Sequence, residues 1–424
     1  MANQEIINQL KLHLDQQLSA RLDLLQQMVS INSFTANPQG VNQLGDLTAD
    51  AFAHLGFTAD RVQATDFLYG KHLVLTRPGQ SKDHQPAPKI GLISHLDTVY
   101  PAAEEIDNDF HWRISGKRIY GPGIYDIKGG TVMILLVLSA LQAVAPNLFN
   151  SITWVIFLNA AEESLVSDFG QLCLERLNGE ALAALVFEGG ESNGAGFKLV
   201  VARKGMARYH ITVEGKAAHA GTSHHHGANA ILQMSEVIQR VAGYTDYNQA
   251  ITFNVGTISG GTVINRVPHY ASAFVEMRAY SPSVFADGVD KMVALNKFSS
   301  VRSANGGYPC RVKVNILGQW KPWSPNENSN ALLDLWQETG QGLGTIVEPQ
   351  ERGGLSDGNW TWQQIPTLDG LGPDGGNAHC SERSEDGSKD QEYILPESFA
   401  PKALLNCLAI MKLVNGYHAA NRFL

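Results

Sequence analysis

Through its first half the chain repeats one pattern: a short apolar run, stopped by an acid or a histidine, then a stretch with helical spacing. Leu73-Val74-Leu75, Ile90-Gly91-Leu92-Ile93, Ile152 to Leu158 and Leu182 to Phe187 read as strands. Helices are expected from Leu44 to Leu55, after Lys128-Gly129-Gly130, and around Phe169 to Leu177. Alternation of this kind specifies an α/β fold, a mixed, mostly parallel sheet flanked by helices on both faces. Such sheets bind ligands beyond the carboxyl ends of their strands. His95, Glu162, Glu163 and Glu188 each follow an apolar run, where that rule puts a site.

The texture changes near Arg203. Ala207 to Val213 alternates as a half-buried strand, and further strand-like runs follow at Ile251 to Val255, Ala271 to Arg278 and Arg311 to Ile316. Helical spacing recurs at Ala228 to Val241 and near Val289 to Phe298, which together describe a small α+β unit. Longer helices return after Trp320, at Ala331 to Gly340 and Pro401 to Val414. The expected organisation is a catalytic domain in two pieces, 1–203 and 320–424, with an α+β domain inserted at 204–319. A chain of 424 residues is long enough for two cores.

Composition narrows the function classes. The net charge of -9 and the lack of a Lys/Arg cluster argue against a nucleic-acid surface. Four cysteines without paired spacing fit free thiols in a reducing compartment. The N-terminal segment reads as an amphipathic helix from Ile6 to Met28 rather than a secretory leader, and Val132 to Val144 is too short and too interrupted to span a bilayer. A cytoplasmic protein that engages neither membrane nor nucleic acid is expected.

Five segments carry the chemistry: His95-Leu96-Asp97, Gly121-Pro122-Gly123-Ile124-Tyr125-Asp126, Glu162-Glu163, Glu188-Gly189-Gly190 and Asn377-Ala378-His379. Taken singly they are weak, since a lone histidine at a strand end is usually structural and an acidic pair at a helix start is usually solvated. Together they offer the imidazole and carboxylate ligands that a pair of divalent cations needs, with one carboxylate left to activate water. Gly121-Pro122-Gly123 is not a dinucleotide fingerprint, because an acid stands where the third glycine belongs and would repel a pyrophosphate. A nucleotide-binding dehydrogenase is therefore disfavoured. A non-catalytic metal- or ligand-binding protein on the same scaffold remains the alternative.

In their order these segments, with Ala218-His219-Ala220-Gly221 and Asn265-Arg266-Val267-Pro268, resemble the zinc-dependent exopeptidase and aminoacylase family of glutamate carboxypeptidase, acetylornithine deacetylase and succinyl-diaminopimelate desuccinylase. Phe187-Glu188-Gly189-Gly190 and Ala202-Arg203-Lys204-Gly205 are most similar to the glutamate carboxypeptidase branch. The resemblance implies two zinc ions, or cobalt or manganese in their place. Asp126 would bridge them, His95 and Glu188 would complete one site, and Glu163 and His379 the other. It implies Glu162 as general base, Asp97 as the residue orienting His95, and His219 as an oxyanion donor acting across a homodimer of the inserted dimerisation or lid domain. Asn265, Arg278, Gly354 and Ser356 match positions that contact substrate, expected to be an N-acyl amino acid or short peptide with a free carboxylate. Ala161, Leu165-Val166 and His224-His225-His226 depart from the family pattern around the pocket, which bears on the choice of substrate.

Overall fold

The computed structural model describes residues 4–80, 86–164, 167–178, 181–192, 194 and 196–420. Leu165 and Val166 lie outside them. By contact the chain divides into two compact units: one of residues 1–201, 325–351 and 356–424, the other of 202–324 and 352–355.

The first unit is built on a six-stranded mixed sheet. β1 (Thr58–Gln63) and β2 (Lys71–Arg77) form an antiparallel edge, β3 (Lys89–His95) lies between β4 (Thr153–Asn159) and β5 (Ala181–Val186), and a two-residue strand, Thr367–Leu368, closes the far side. β3 runs parallel to both its neighbours. β3, β4 and β5 are buried over nearly their whole length, as unbroken apolar runs in a covered sheet should be.

Helices α1 (Gln4–Val29), α2 (Pro38–Ala53) and α3 (Gly129–Val144) share one apolar core. α2 starts six residues before the apolar spacing suggested. Pro38 pre-sets the first turn and the Asn37 side chain accepts from the Gly40 N–H, so cap chemistry rather than hydrophobicity sets the boundary. α3 is apolar all round and buried from Gly129 to Leu141. The segment Ile124–Val144 is long and apolar enough to cross a bilayer, yet 83% of its most apolar 18-residue stretch is covered by the protein itself. Each buried Leu or Ile along it contributes about 1.5–3 kcal/mol relative to exposure. The helix fits because of Gly130: a Cβ there would lie 1.9 Å from the Phe187 carbonyl oxygen at the end of β5.

The second unit has its own core, set by a four-stranded antiparallel sheet of β6 (Gly205–Glu214), β7 (Thr252–Gly260), β8 (Tyr270–Ala279) and β9 (Arg311–Trp320). α5 (Ala230–Ala242) and α6 (Pro282–Ala294) pack on it, and α4 (Asp168–Leu177) belongs to the first unit. The expected α+β pattern is seen here, with β7 and β9 each running several residues further than their apolar alternation.

Candidate metal centre

Strand register assembles half of the site. His95 ends β3 opposite Asn159 of β4, and Ile93 stands opposite Val186 of β5. Continuing the chain two to four residues past each strand brings Glu162 and Glu163 to one side of His95 and Glu188 to the other. His95 Nε2 lies 4.0 Å from Glu188 Oε1.

The other half comes from two loops. Asp126 sits in a non-helical turn ahead of α3, reached through Gly123, whose φ of 67° and closeness to the Thr98 methyl leave no room for a side chain. His379 follows a narrow strand, Gly375–Gly376, which pairs with Tyr393–Ile394 and through it with Arg118–Tyr120, just upstream of Asp126. That small sheet, absent from the sequence reading because its strands are only two or three residues long, ties the two loops together.

The outcome is a carboxylate set between two imidazoles. Asp126 Oδ1 is 3.0 Å from His95 Nε2, and Asp126 Oδ2 is 3.3 Å from His379 Nε2. His379 Nε2 is also 3.2 Å from Glu163 Oε1. One donor atom each from His95, Asp126 and Glu163 lies within 4.8 Å of the others.

Asp97 organises what surrounds them. His95 Nδ1 is 3.0 Å from the Asp97 carbonyl, the partner that takes its proton, and 3.4 Å from the Asp97 carboxylate. With Nδ1 donating there, Nε2 is the nitrogen turned to Asp126, protonated while it pairs with that carboxylate and able to offer a lone pair once a cation replaces the proton. The Asp97 carboxylate accepts the backbone N–H groups of Glu162 (3.0 Å) and Glu163 (3.2 Å) and the Thr35 hydroxyl (2.7 Å). So the orienting residue also fixes the acidic pair. Asn159 assists, accepting from the Ala161 N–H and donating to buried Asp357.

Glu392 went unread in the sequence. Fully buried, it accepts the Tyr125 and Asp126 N–H groups at 2.7 and 3.0 Å and the Tyr100 hydroxyl at 2.6 Å. Its one sequence signal is an acid placed directly before the apolar Tyr393-Ile394 strand.

The electrostatics describe too much negative charge for one cavity. Burial pushes Glu162 well above the usual carboxylate range, and the charges of Glu163, Asp357 and Glu188 add to the rise against the pull of His95. Burial and Asp126 raise Glu163 as well. Burial and the charge of Asp126 take Glu392 up to about 7. Hydrogen bonds to Asp126 and Glu163 push His379 up to about 11. Burial opposes a charged His95, but Asp126 and Asp97 hold it well above its ordinary value. Among the described residues Asp126 and Glu163 form ion pairs only with these two histidines. Two imidazolium ions thus supply the positive charge that the carboxylates require. Divalent cations would supply it better, and imidazole with carboxylate oxygen is the donor chemistry they take. The residues present fit a metal centre.

In the second unit Ala218-His219-Ala220 and Asn265-Arg266-Val267 pair with each other through backbone hydrogen bonds, so His219 and Asn265 share one exposed corner. His219 Nδ1 accepts the Gly221 and Thr222 N–H groups, which places its proton on Nε2 as a donor. Arg278 donates to Glu276 at 2.6 Å and to the Gly353 carbonyl at 3.0 Å, and the Gly354 carbonyl accepts from Arg203. Ser356 belongs to the first unit, buried, with its hydroxyl donating to Asp369 at 2.8 Å. His224, His225 and His226 form a short exposed turn.

Comparison with known proteins agrees with this picture. The peptidase dimerisation domain family matches residues 201–302. Carboxypeptidase G2 of a Pseudomonas species is 26% identical over 370 residues, covering 86% of this chain and 84% of its own. The succinyl-diaminopimelate desuccinylase of Halorhodospira halophila is 23% identical, over 84% of this chain and 90% of that one. Among solved structures, an aminopeptidase from Bacillus cereus superposes with a TM-score of 0.69 at 22% identity, covering 94% of this chain and 99% of its own. A metallo-carboxypeptidase from Sulfolobus solfataricus gives a TM-score of 0.67 at 15% identity, covering 93% and 98%. Motif order, fold and relatives converge: the chain is similar over most of its length to carboxypeptidases and a desuccinylase of the zinc-dependent exopeptidase and aminoacylase family, and it is a metal-dependent hydrolase.

Proposed function

We propose that this hydrolase is dinuclear and zinc-dependent and cleaves an amide or peptide bond beside a free carboxylate, as a carboxypeptidase or an N-acyl amino acid deacylase. The observation that carries the reading is Asp126, whose two oxygens face different histidines, as a carboxylate shared between two cations requires. His95 with Glu188, and His379 with Glu163, would complete the two sites. When bound, the ions would lower the pKa of water toward about 7 and polarise the scissile carbonyl.

Glu162 does the proton transfer. Its backbone is pinned by Asp97 while its carboxyl is raised by burial, which suits a base that must take a proton from attacking water and hand it to the departing amine. His219, with Nε2–H as donor, is assigned to the tetrahedral oxyanion. Arg278 is assigned to the substrate carboxylate, through donors not engaged by Glu276 or Gly353, and Asn265 and Gly354 are assigned to substrate contact on their motif resemblance. Ser356 is assigned a supporting part in the pocket, its hydroxyl holding Asp369 rather than touching substrate. The likeness to carboxypeptidase G2 supports testing glutamate derivatives first. A homodimer through the second unit is supported by the matched dimerisation family and by exposed Ile258, Val263 and Ile264. Four unbridged cysteines suit a cytoplasmic setting.

The test is a panel of N-acyl amino acids and dipeptides with zinc, cobalt or manganese, run on the wild type and Glu162→Gln. Hydrolysis should disappear with chelator, and the variant should keep its metal while losing about 10²- to 10⁴-fold in kcat. A metal-replete Glu162→Gln with unchanged turnover would refute the assignment of the base. A metal-loaded wild type inert across the panel would favour the binding-protein alternative.

A further inference from the structure

We infer that Glu392 is a positioning residue that sets the separation of the Asp126 and His379 loops. This rests on the reading of Asp126 and His379 as metal ligands.

A carboxylate is an unusual tenant for a site with no exposure, and its neighbours explain it. One oxygen, Oε1, accepts two consecutive backbone N–H groups, those of Tyr125 and Asp126. The other accepts the hydroxyl of Tyr100, itself buried and edge-on to Phe110. The backbone of Glu392 is equally committed. Its N–H donates to the carbonyl of Cys380 at 2.8 Å, the residue directly after His379, and its carbonyl accepts from Gly121 at 3.4 Å. One residue therefore joins the turn bearing the shared carboxylate to the loop bearing the exposed histidine. Backbone bonds span the turn, from the Lys128 N–H to the Gly123 carbonyl at 2.8 Å and from the Gly129 N–H to the Ile124 carbonyl, but Asp126 itself is non-helical and its N–H, with that of Tyr125, goes to Glu392. Moved away from Glu392, those two N–H groups would lose their acceptor, so the loop stays where Glu392 puts it.

Reach and charge separate cleanly. Glu392→Asp keeps the charge and withdraws the oxygens by one methylene. Glu392→Gln keeps the reach, its amide oxygen accepting the two N–H groups while the Tyr100 hydroxyl turns to accept from the amide nitrogen. Zinc affinity of the full chain is measured by chelator competition, with the absorption spectrum of the cobalt-substituted protein and the unfolding temperature of the metal-free protein alongside. Positioning predicts that Glu392→Asp binds zinc at least about tenfold more weakly with an altered cobalt spectrum, while Glu392→Gln stays within about threefold of wild type. Unchanged affinity in Glu392→Asp, or a Glu392→Gln weaker than Glu392→Asp, overturns the inference. Should Glu392→Asp not fold, folded Glu392→Gln still decides: weakened zinc binding refutes the role, and retained binding without the charge supports it. A wild type that binds zinc tightly beside an unaffected Glu392→Asp rejects positioning alone. A wild type that binds no zinc rejects the metal reading itself.

Discussion

Asp97 shows how much one buried side chain can decide. Its two oxygens serve two consecutive backbone N–H groups and a threonine hydroxyl, while its carbonyl selects the tautomer of His95. The residue thus aims His95, the proposed ligand on one strand, and Glu162, the proposed base at the end of the next. Asp97→Ala leaves the Glu162 and Glu163 N–H groups without acceptors, each costing about 1–3 kcal/mol. It should also weaken metal binding by about 10- to 100-fold, because the carboxylate that anchors the Glu163 backbone is lost even though the carbonyl beside His95 remains. Urea unfolding and zinc titration of the variant measure both. A variant with wild-type zinc affinity would show that Asp97 acts on catalysis alone. Two-residue spacing singled out Asp97 as a partner for His95, with its carboxylate expected to face the ring, while the structure places the backbone carbonyl nearer. The grip of Asp97 on Glu162 and Glu163 was not legible, because those residues lie on another strand and only parallel pairing makes them neighbours.

At the scale of elements, α4 is anchored to the sheet by polar contacts at its first turn. The Ala160 N–H donates to His72 Nδ1, so the His72 proton sits on Nε2, 3.4 Å from Asp168 at the start of α4. Asp168 also accepts the Thr65 N–H at 2.5 Å. Burial works against its charge, yet the bonds from His72 and Thr65 hold Asp168 below its ordinary value. A depressed carboxylate stabilises the fold above its unfolded-state pKa, near about 4, and that contribution is lost as pH falls through the folded-state value. Wild type should therefore be more stable than Asp168→Asn at pH 7, and the gap should narrow steadily below about pH 4. Denaturant titrations at a series of pH values check this. A gap independent of pH would show that shape, rather than charge, matters at this helix start. Helix and strand types followed from periodicity, since buried strands and α3 carry long apolar runs. The small sheet around Tyr120 and Tyr393 did not, because pairs of two or three residues leave no period to read.

For the whole molecule, the proposed homodimer makes a direct prediction. Sedimentation equilibrium should give twice the chain mass of 46.1 kDa. Ile264→Asp, at a side chain that is fully exposed in the single chain, should shift the equilibrium to monomer by about tenfold or more without changing the unfolding of the isolated chain. A wild type that stays monomeric at micromolar concentration would remove the proposed association.

The chain by itself determined the strand–helix alternation, the apolar α3 and which imidazoles and carboxylates were candidates to hold cations, because these depend on local period, motif and side-chain chemistry. Tertiary structure decided which oxygens face which imidazoles, that Glu392 bonds to the Asp126 turn, and that Ser356 is spent on Asp369. Those outcomes follow from strand register and loop closure between distant segments, and no local pattern encodes the distance between two loops.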